Sequence, residues 1–179
     1  MAQERTNLQV INRSRTMPRE GDVFAMLLPD SRYLFGQVVG ADLPVTMAPM
    51  EGSYLIYIYR EVAETGNPDL DRLTPDTLLL APSYINRMPW TKGYFRNVAH
   101  RPLKPEHLLQ QHCFWDPVRN HHHDGHRRTL TRPVEPCGRF VLMSYRRLDD
   151  LISDALDIAR APDDEAEGDG SGEQHAASW

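Results

Sequence analysis

The segment Tyr54–Tyr59 (YLIYIY) constrains the fold of this chain more than any other stretch. All six residues are aromatic, β-branched or leucine, and such a run favours a strand. Apolar side chains occupy both alternating sets of positions, so a strand here has two hydrophobic faces. We therefore expect a central strand that is covered on both sides of its sheet.

A β-hairpin is predicted before this strand. The run Asp22–Leu28 is rich in Val, Phe and Leu, the tripeptide Pro29-Asp30-Ser31 follows, and Arg32–Val39 resumes as a second strand. Proline presets its φ angle and the Asp and Ser side chains bond back to the chain, which makes the tripeptide a turn. Gly36 within the second strand predicts a bulge or a tight bend.

Shorter elements are predicted after the central strand. Short helices at Pro75–Leu80 and from Lys104 to about Gln111 each carry a proline in the first turn, where a backbone N–H has no intrahelical acceptor. The predicted strands are Tyr84–Met88, Tyr94–Val98 and the pair Thr129–Val134 and Arg139–Tyr145, which we expect to form a hairpin. The segments between them, 89–93 and 116–126, are predicted loops.

One amphipathic helix is predicted at about 147–160. Its apolar residues recur at helical spacing and form one stripe: they are Leu148, Leu151, Ile152, Ala155, Ile158 and Ala159. This stripe should pack on the sheet. We therefore predict an α+β fold: a strongly bent, mostly antiparallel β-sheet or small SH3-like barrel, with short inserted helices and a C-terminal helix.

The charge distribution divides the 179 residues into three parts. Residues 1–19 are polar and without periodicity, and we expect a flexible leader. Residues 161–179 carry six acids and no Lys or Arg, and we expect a disordered acidic tail. Residues 20–160 are the predicted single domain. Outside the tail, 19 acids face 20 Lys and Arg residues, so there is no strongly basic surface of the kind that phosphate-backbone binding requires.

The sequence also bears on the compartment. No apolar run approaches the roughly 20 residues that a membrane-spanning helix needs, and the polar N-terminal residues lack the apolar segment of a signal peptide. The two cysteines, Cys113 and Cys137, do not make a disulfide framework; they could pair or bind a metal, and Cys113 also fits a small buried apolar residue. We expect a cytoplasmic protein.

The most conspicuous polar cluster is the run His121–His126 (HHHDGH), with His112 nearby. Four histidines and one aspartate could bind Zn²⁺, Ni²⁺ or Cu²⁺. Structural zinc sites, however, use separated ligand pairs, whereas adjacent histidines in a loop point in different directions. We therefore expect a polar loop, no metal site and no cofactor, with adventitious metal affinity as the alternative.

The sequence lacks the common catalytic motifs. G-x-S-x-G, the P-loop, G-x-G-x-x-G and H-E-x-x-H are all absent. We therefore predict no enzymatic activity and no small-molecule substrate.

The segment 119–147 is rich in arginine. It holds seven arginines against the acids Asp124 and Glu135, a net charge of +5: they are Arg119, Arg127, Arg128, Arg132, Arg139, Arg146 and Arg147. With Trp115, Phe140 and Tyr145 close by, this segment could bind a nucleic-acid strand. The interpretation that we prefer is a solvated hairpin whose arginines alternate outward, so nucleic-acid binding is kept as the alternative function.

The stretch Gly21–Val39 reads GDVFAMLLPDSRYLFGQVV, a strand, a polar turn and a strand of pattern Y-x-F-G-x-V. It resembles, in register, the start of the immunity protein 26 family, whose members begin with a GDVFAIPL-like strand and the same pattern. The order of later elements is also similar: a strong strand at Tyr54–Tyr59, a leucine-rich short helix at Leu73–Leu80 and an aromatic strand before a Pro-Leu step at Tyr94–Leu103.

This resemblance implies a bacterial immunity protein. Such proteins sit beside a polymorphic toxin gene and neutralise the toxin domain by binding it, without catalysis and without a cofactor. If the toxin is a nuclease, its active site is electropositive and acids on this chain would steer association. The candidate contact residues are Asp69, Asp71, Asp76, Trp90, Trp115 and Asp116. Each of the two tryptophans is either a core residue or an interface anchor.

Overall fold

The structure is a computed structural model that describes residues 5–162. Within this range it contains nine strands and two α-helices. In chain order they are β1 (Asp22–Leu27), β2 (Tyr33–Leu43), β3 (Ser53–Ala63), β4 (Ser83–Ile85), α1 (Met88–Lys92), β5 (Arg96–His100), β6 (Cys113–Asp116), β7 (His121–His123), β8 (Cys137–Arg139), β9 (Leu142–Met143) and α2 (Tyr145–Ala155). Three 3-10 turns lie between strands, at Leu70–Arg72, Pro75–Thr77 and Pro105–His107.

Six strands form the main sheet, in the order β5-β1-β2-β3-β4-β9. All neighbours in it are antiparallel except β4 and β9. The second sheet has the order β7-β6-β8, with β6 antiparallel to β7 and parallel to β8. The predicted α+β class with mostly antiparallel strands and a C-terminal helix is confirmed. Neither sheet closes on itself within residues 5–162, so the barrel is not confirmed.

The predicted hairpin is formed by β1 and β2. At its turn, the Leu28 N–H donates to the Arg32 carbonyl at 2.8 Å. The pairing of β2 with β3 shifts register between Leu34 and Gly36, which is the predicted irregularity. A Cβ atom on Gly36 would lie 2.3 Å from the Phe24 ring, so only glycine allows this close approach.

Strand β3 lies inside the main sheet and both of its faces are covered, as the Tyr54–Tyr59 pattern predicts. Residues 54, 56 and 58 pack with Trp90 of α1 and Leu148 of α2 on what we call the helix-covered face. Residues 55, 57 and 59 pack with Phe114 of β6 on the opposite, loop-covered face. The strand therefore joins two hydrophobic cores.

The helices predicted after β3 are only single 3-10 turns. The first ends at Thr77 because the next two residues pair with β3: Leu78 forms a β-bridge with Tyr59, and the Leu79 N–H donates to the Ile58 carbonyl at 2.8 Å. The second is limited to Pro105–His107. Apolar residues that the pattern assigned to helices are used here to cover the sheet.

Two further predicted elements are wrong. The predicted loop at residues 89–93 contains most of helix α1, which ends at Gly93 with φ at 93°. The hairpin predicted for 129–134 and 139–145 does not form, because β8 pairs with β6 and β9 pairs with β4. Pro133 and Pro136 lack the N–H groups that a strand ladder uses.

The described part of the predicted leader contacts the domain. The Leu8 side chain is 5% exposed within the helix-covered core. The N–H groups of Asn7 and Leu8 donate to the Asp149 carboxylate at 2.9 and 2.7 Å. The division at residues 19 and 160 stays a prediction, and the acidic tail beyond residue 162 lies outside the described residues. Neither α-helix in residues 5–162 is long and apolar enough to cross a membrane.

Candidate partner-binding surface

The loop-covered face of the main sheet lies under a second layer, which we define as residues 69–78 and 103–143. This layer packs on Tyr57 and Tyr59 through leucines and aromatic residues: they are Leu70, Leu73, Leu78, Leu103, Leu108, Leu109, Phe114 and Phe140. It carries five of the six predicted contact residues, and only Trp90 lies elsewhere.

Three predicted acids, Asp69, Asp71 and Asp76, lie exposed along two consecutive 3-10 turns. The Asp69 carboxylate begins the first turn and accepts the Asp71 N–H at 3.2 Å. Asp71 and Asp76 line a groove of about 500 Å³, which we call the acidic groove. Its other lining residues are Arg60, Glu61, Arg72, Thr74 and Thr77.

The charges of the acidic groove are only partly paired. Glu61 forms an ion pair with Arg72 at 2.9 Å. Within residues 5–162, the carboxylates of Asp71 and Asp76 form no such pair. Residues 60–77 together hold five acids and two arginines, a net charge of −3. The groove therefore presents two solvated carboxylates that are available to a cationic partner.

Arg101 attaches the first of these turns to the main sheet. Its guanidinium donates to the carbonyls of Leu70 and Leu73 at 2.6 and 3.0 Å. It also donates to the Gln37 side chain, whose same oxygen accepts the Tyr59 hydroxyl at 3.1 Å. Burial raises the pKa of Tyr59 above its ordinary value, although Arg101 opposes this, so the phenol is a neutral donor near neutral pH.

The network around Arg101 was not predicted from the sequence. Gln37 is fully buried in β2, and its partners lie 22 and 64 residues away along the chain. A polar residue in a strand gives no local signal of such a distant arrangement. The network holds the backbone of the acidic groove in one position relative to the sheet.

Trp115 is half-buried on the outer surface of the second sheet. Its register partners are His122 on β7 and Arg139 on β8, so the three side chains share one face. The Trp115 and His122 rings are 4.8 Å apart between centroids. Tryptophan and arginine are the side chains most often found to dominate binding at interfaces, which makes this row a candidate contact.

Trp90 occupies a core position instead. It is 1% exposed, and its indole N–H donates to the Asn97 side chain at 2.8 Å. Its ring packs on Phe24 and Phe95 with centroid distances of 5.4 and 5.1 Å. Of the two readings left open for Trp90, this placement favours the core residue.

Asp116 stabilises a turn. It is 3% exposed, and its Oδ1 accepts the N–H groups of Val118 and Arg119 at 2.9 and 3.0 Å. Burial acts to raise the pKa of Asp116, but these hydrogen bonds and the nearby Arg127 outweigh it and hold the pKa below its ordinary value. The Asp116 carboxylate therefore binds groups of this chain and is largely inaccessible to a partner.

Comparison with known proteins decides the family. A model of the immunity protein 26 family matches residues 19–124. The chain belongs to this family. The immunity protein 26 match contains β1–β7, the acidic groove and Trp115, and it ends before β8. The family implies an immunity protein of a toxin system, and such proteins are generally not catalysts. No curated protein and no solved structure matched the chain.

The histidine run of this immunity protein 26 member is partly a strand rather than a loop. His121–His123 form β7, and His123 is 1% exposed. Its Nδ1 contacts the Asp124 carbonyl at 2.6 Å, so this nitrogen carries the proton. Within residues 5–162, no three His, Cys, Asp or Glu side chains are placed to hold a metal ion together.

The arginines of 119–147 do not form one basic stripe. Arg127, Arg128 and Arg146 face the carboxylates of Asp116, Asp124 and Asp150 at 3.7, 2.7 and 3.7 Å. Arg128 and the other four, Arg119, Arg132, Arg139 and Arg147, are exposed. Nucleic-acid binding through this segment stays a prediction, with fewer available charges than the sequence indicates.

His112 is a further polar group of the second layer. It lines a cleft of about 670 Å³, and its Nε2 lies 2.7 Å from the Tyr57 hydroxyl. Burial lowers the pKa of His112 below its ordinary value, and His126 adds to this effect. The Tyr57 oxygen also accepts the Leu109 N–H at 3.1 Å. This contact ties the second layer to β3.

Proposed function

We propose that this chain neutralises a cognate bacterial toxin by binding the toxin domain directly, without catalysing a reaction. The observation that carries the proposal is membership of the immunity protein 26 family over residues 19–124. We further propose that the toxin belongs to a polymorphic toxin system, that its gene lies beside this one, and that the two proteins meet in the cytoplasm.

The acidic groove is the proposed recognition surface for a positively charged site on the toxin. Asp71 and Asp76, whose carboxylates form no ion pair within the described residues 5–162, lie in a region of net charge −3, with Asp69 beside them. A toxin that acts on nucleic acid has an electropositive substrate site, and complementary charge accelerates association with it. The turns are held by the Arg101 network, so little ordering entropy is lost on binding.

Trp115 is the proposed apolar anchor. The acids of the acidic groove and the row formed by Trp115, His122 and Arg139 lie in the second layer, which covers one face of the main sheet. A specific interface buries roughly 1,600 Å² in total, and its energy is concentrated in a few large side chains. A row that holds the half-buried Trp115 and the exposed Arg139 fits that role better than the buried Trp90.

The proposal is tested by co-expression. The toxin domain encoded next to this gene is produced in bacteria with and without the full chain, and surviving colonies are counted. Rescue, together with co-purification of a complex, is the expected result. Survival without a complex, or no survival with a folded chain present, contradicts neutralisation by direct binding.

A further inference from the structure

Cys113 and Cys137 lie side by side in the second sheet. They are register partners on the parallel strands β6 and β8. Their Sγ atoms are 2.6 Å apart, and both cysteines are free thiols in this structure. The two side chains therefore already face each other across the strand pair.

The backbone around Cys137 is held in place. The next residue, Gly138, packs closely on Pro82, which precedes β4. A Cβ atom on Gly138 would lie 2.3 Å from the Pro82 carbonyl oxygen. On the other side, the Cys137 N–H donates to the Glu135 carboxylate at 2.9 Å. The sulfur atoms are thus brought together by fixed strands, and bond formation requires only a small movement of the side chains.

The two thiols differ in access. Cys113 is fully buried, whereas Cys137 is half-buried. A disulfide-bearing reagent in solution can therefore reach Cys137 first, and Cys113 only through Cys137. This asymmetry defines one attacking thiol and one resolving thiol.

We propose that Cys113 and Cys137 form a reversible intramolecular disulfide by exchange with a small-molecule disulfide, RSSR. The Cys137 thiolate attacks one sulfur of RSSR, forming the mixed disulfide and releasing RS⁻. The Cys113 thiol then loses its proton and its sulfur attacks the Cys137 sulfur, which expels a second RS⁻. In sum, the protein dithiol loses two hydrogens and is oxidised, while RSSR is reduced to two RSH.

The bond would act on the surface that carries Trp115. Cys113 and Cys137 precede Trp115 and Arg139 by two residues on the same strands, so the bridge would fix the two strands that present this row. It would also close the segment 113–137, which contains β7 and the His121–His126 run. Cys113 lies within the residues that match the family model, and Cys137 lies beyond them.

The experiment uses the full chain and glutathione disulfide as the probe. After incubation, the protein is denatured, alkylated and analysed by mass spectrometry, and peptides are mapped. The expected product has no alkylated cysteine, carries no glutathione and yields a peptide that joins Cys113 to Cys137. Two alkylated cysteines, or disulfides only between different molecules, would overturn the proposal.

Two single variants test the order of the steps. Cys113→Ala removes the resolving thiol, so a glutathione adduct should accumulate on Cys137. Cys137→Ala should leave Cys113 unmodified while the protein is folded. An adduct on Cys113 that forms as fast as the one on Cys137 would contradict the assigned roles.

The pH dependence gives a second readout that needs no variant. Burial, together with the hydrogen bond to Cys113, raises the pKa of the Cys137 thiol to about 12. Since only the thiolate attacks, the exchange rate should rise about tenfold per pH unit between pH 7 and 9. A rate that levels off in this range would contradict a raised pKa at the attacking thiol. None of these readouts uses the toxin, so they stand apart from the proposed function.

Discussion

The helix-covered and loop-covered faces of the main sheet are both buried, but the contacts of their aromatic residues differ. On the helix-covered face, Phe24 stacks on Phe95 at 4.3 Å and Trp90 packs edge-on to both rings. On the loop-covered face, the hydroxyls of Tyr57 and Tyr59 bind side chains of the second layer and of β2. Apolar packing stabilises both faces, and on the loop-covered face the buried tyrosine hydroxyls add hydrogen bonds to it.

This difference suits the two faces to different tasks. An apolar contact has no preferred direction, whereas a hydrogen bond fixes the relative positions of the two groups that it joins. Hydrogen bonds to Arg101 and His112 fix loops that have little regular structure of their own. We infer that the helix-covered face stabilises the domain, whereas the loop-covered face positions the surface that meets the partner.

The largest effect is expected for Trp90→Ala on the helix-covered face. The substitution empties the space beside the stacked rings of Phe24 and Phe95 and should lower the free energy of unfolding by about 3–5 kcal/mol. Urea denaturation followed by circular dichroism measures this. A loss below about 1 kcal/mol would contradict the assignment of Trp90 to the core.

The next effect is expected for Arg101→Met. It leaves the carbonyls of Leu70 and Leu73 without their side-chain donor and should cost about 1–3 kcal/mol of unfolding free energy. Toxin affinity should fall as well, because the acidic groove loses its attachment. Arg60→Met is the matched control, since Arg60 lines the same groove but is exposed. Equal effects of the two variants would show that the network does not position the groove.

A smaller effect is expected from pH through His112. Its pKa is lowered in the folded protein, so below the ordinary value of 6.5 the unfolded chain binds more protons than the folded one. Stability should therefore fall as pH decreases through 6.5, and His112→Gln should reduce this dependence. Thermal unfolding at several pH values measures it, with His107→Gln as the control. An unchanged pH dependence in His112→Gln would remove His112 as its source.

The smallest effect on stability is expected for Trp115→Ala. Because Trp115 is half-buried and faces outward, its loss should change the free energy of unfolding by about 1 kcal/mol or less. Its loss from an interface anchor should instead weaken toxin binding by about 2 kcal/mol, roughly thirtyfold. Calorimetric titration of the folded variant with toxin measures this. Wild-type affinity would exclude Trp115 as an anchor.

The sequence predicts the main sheet well because its signals are local. The continuous apolar run Tyr54–Tyr59, the Pro29-Asp30-Ser31 turn and Gly36 each act on their immediate neighbours. The second layer is predicted poorly. Leu78 and Leu79, for example, were assigned to a helix, but their backbones pair with β3 instead. The partners of Gln37 and Arg101 are also distant in sequence, so no local pattern could reveal the network.

For the candidate contact residues, too, the sequence predicts what depends on local signals and not what depends on distant contacts. The acids of 69–76 lie exposed, as a polar segment with turn residues indicates. For the tryptophans, sequence could not decide between core and surface: Trp90 lies in a helix that the Pro-Trp-Thr-Lys-Gly pattern did not predict, and Trp115 lies on the outer face of a strand. Burial depends on which sheet face each residue meets, and that is a property of the whole fold.

The most direct measurement is toxin affinity for Asp71→Asn/Asp76→Asn, compared with Glu106→Gln/Asp157→Asn. Both double variants remove two exposed negative charges, but only the first pair lies in the acidic groove. We expect the groove variant to bind at least about tenfold more weakly, mainly through slower association, with a difference that shrinks as salt increases. The control should bind like the wild type. Equal affinities for the two variants would contradict recognition of the toxin through the acidic groove.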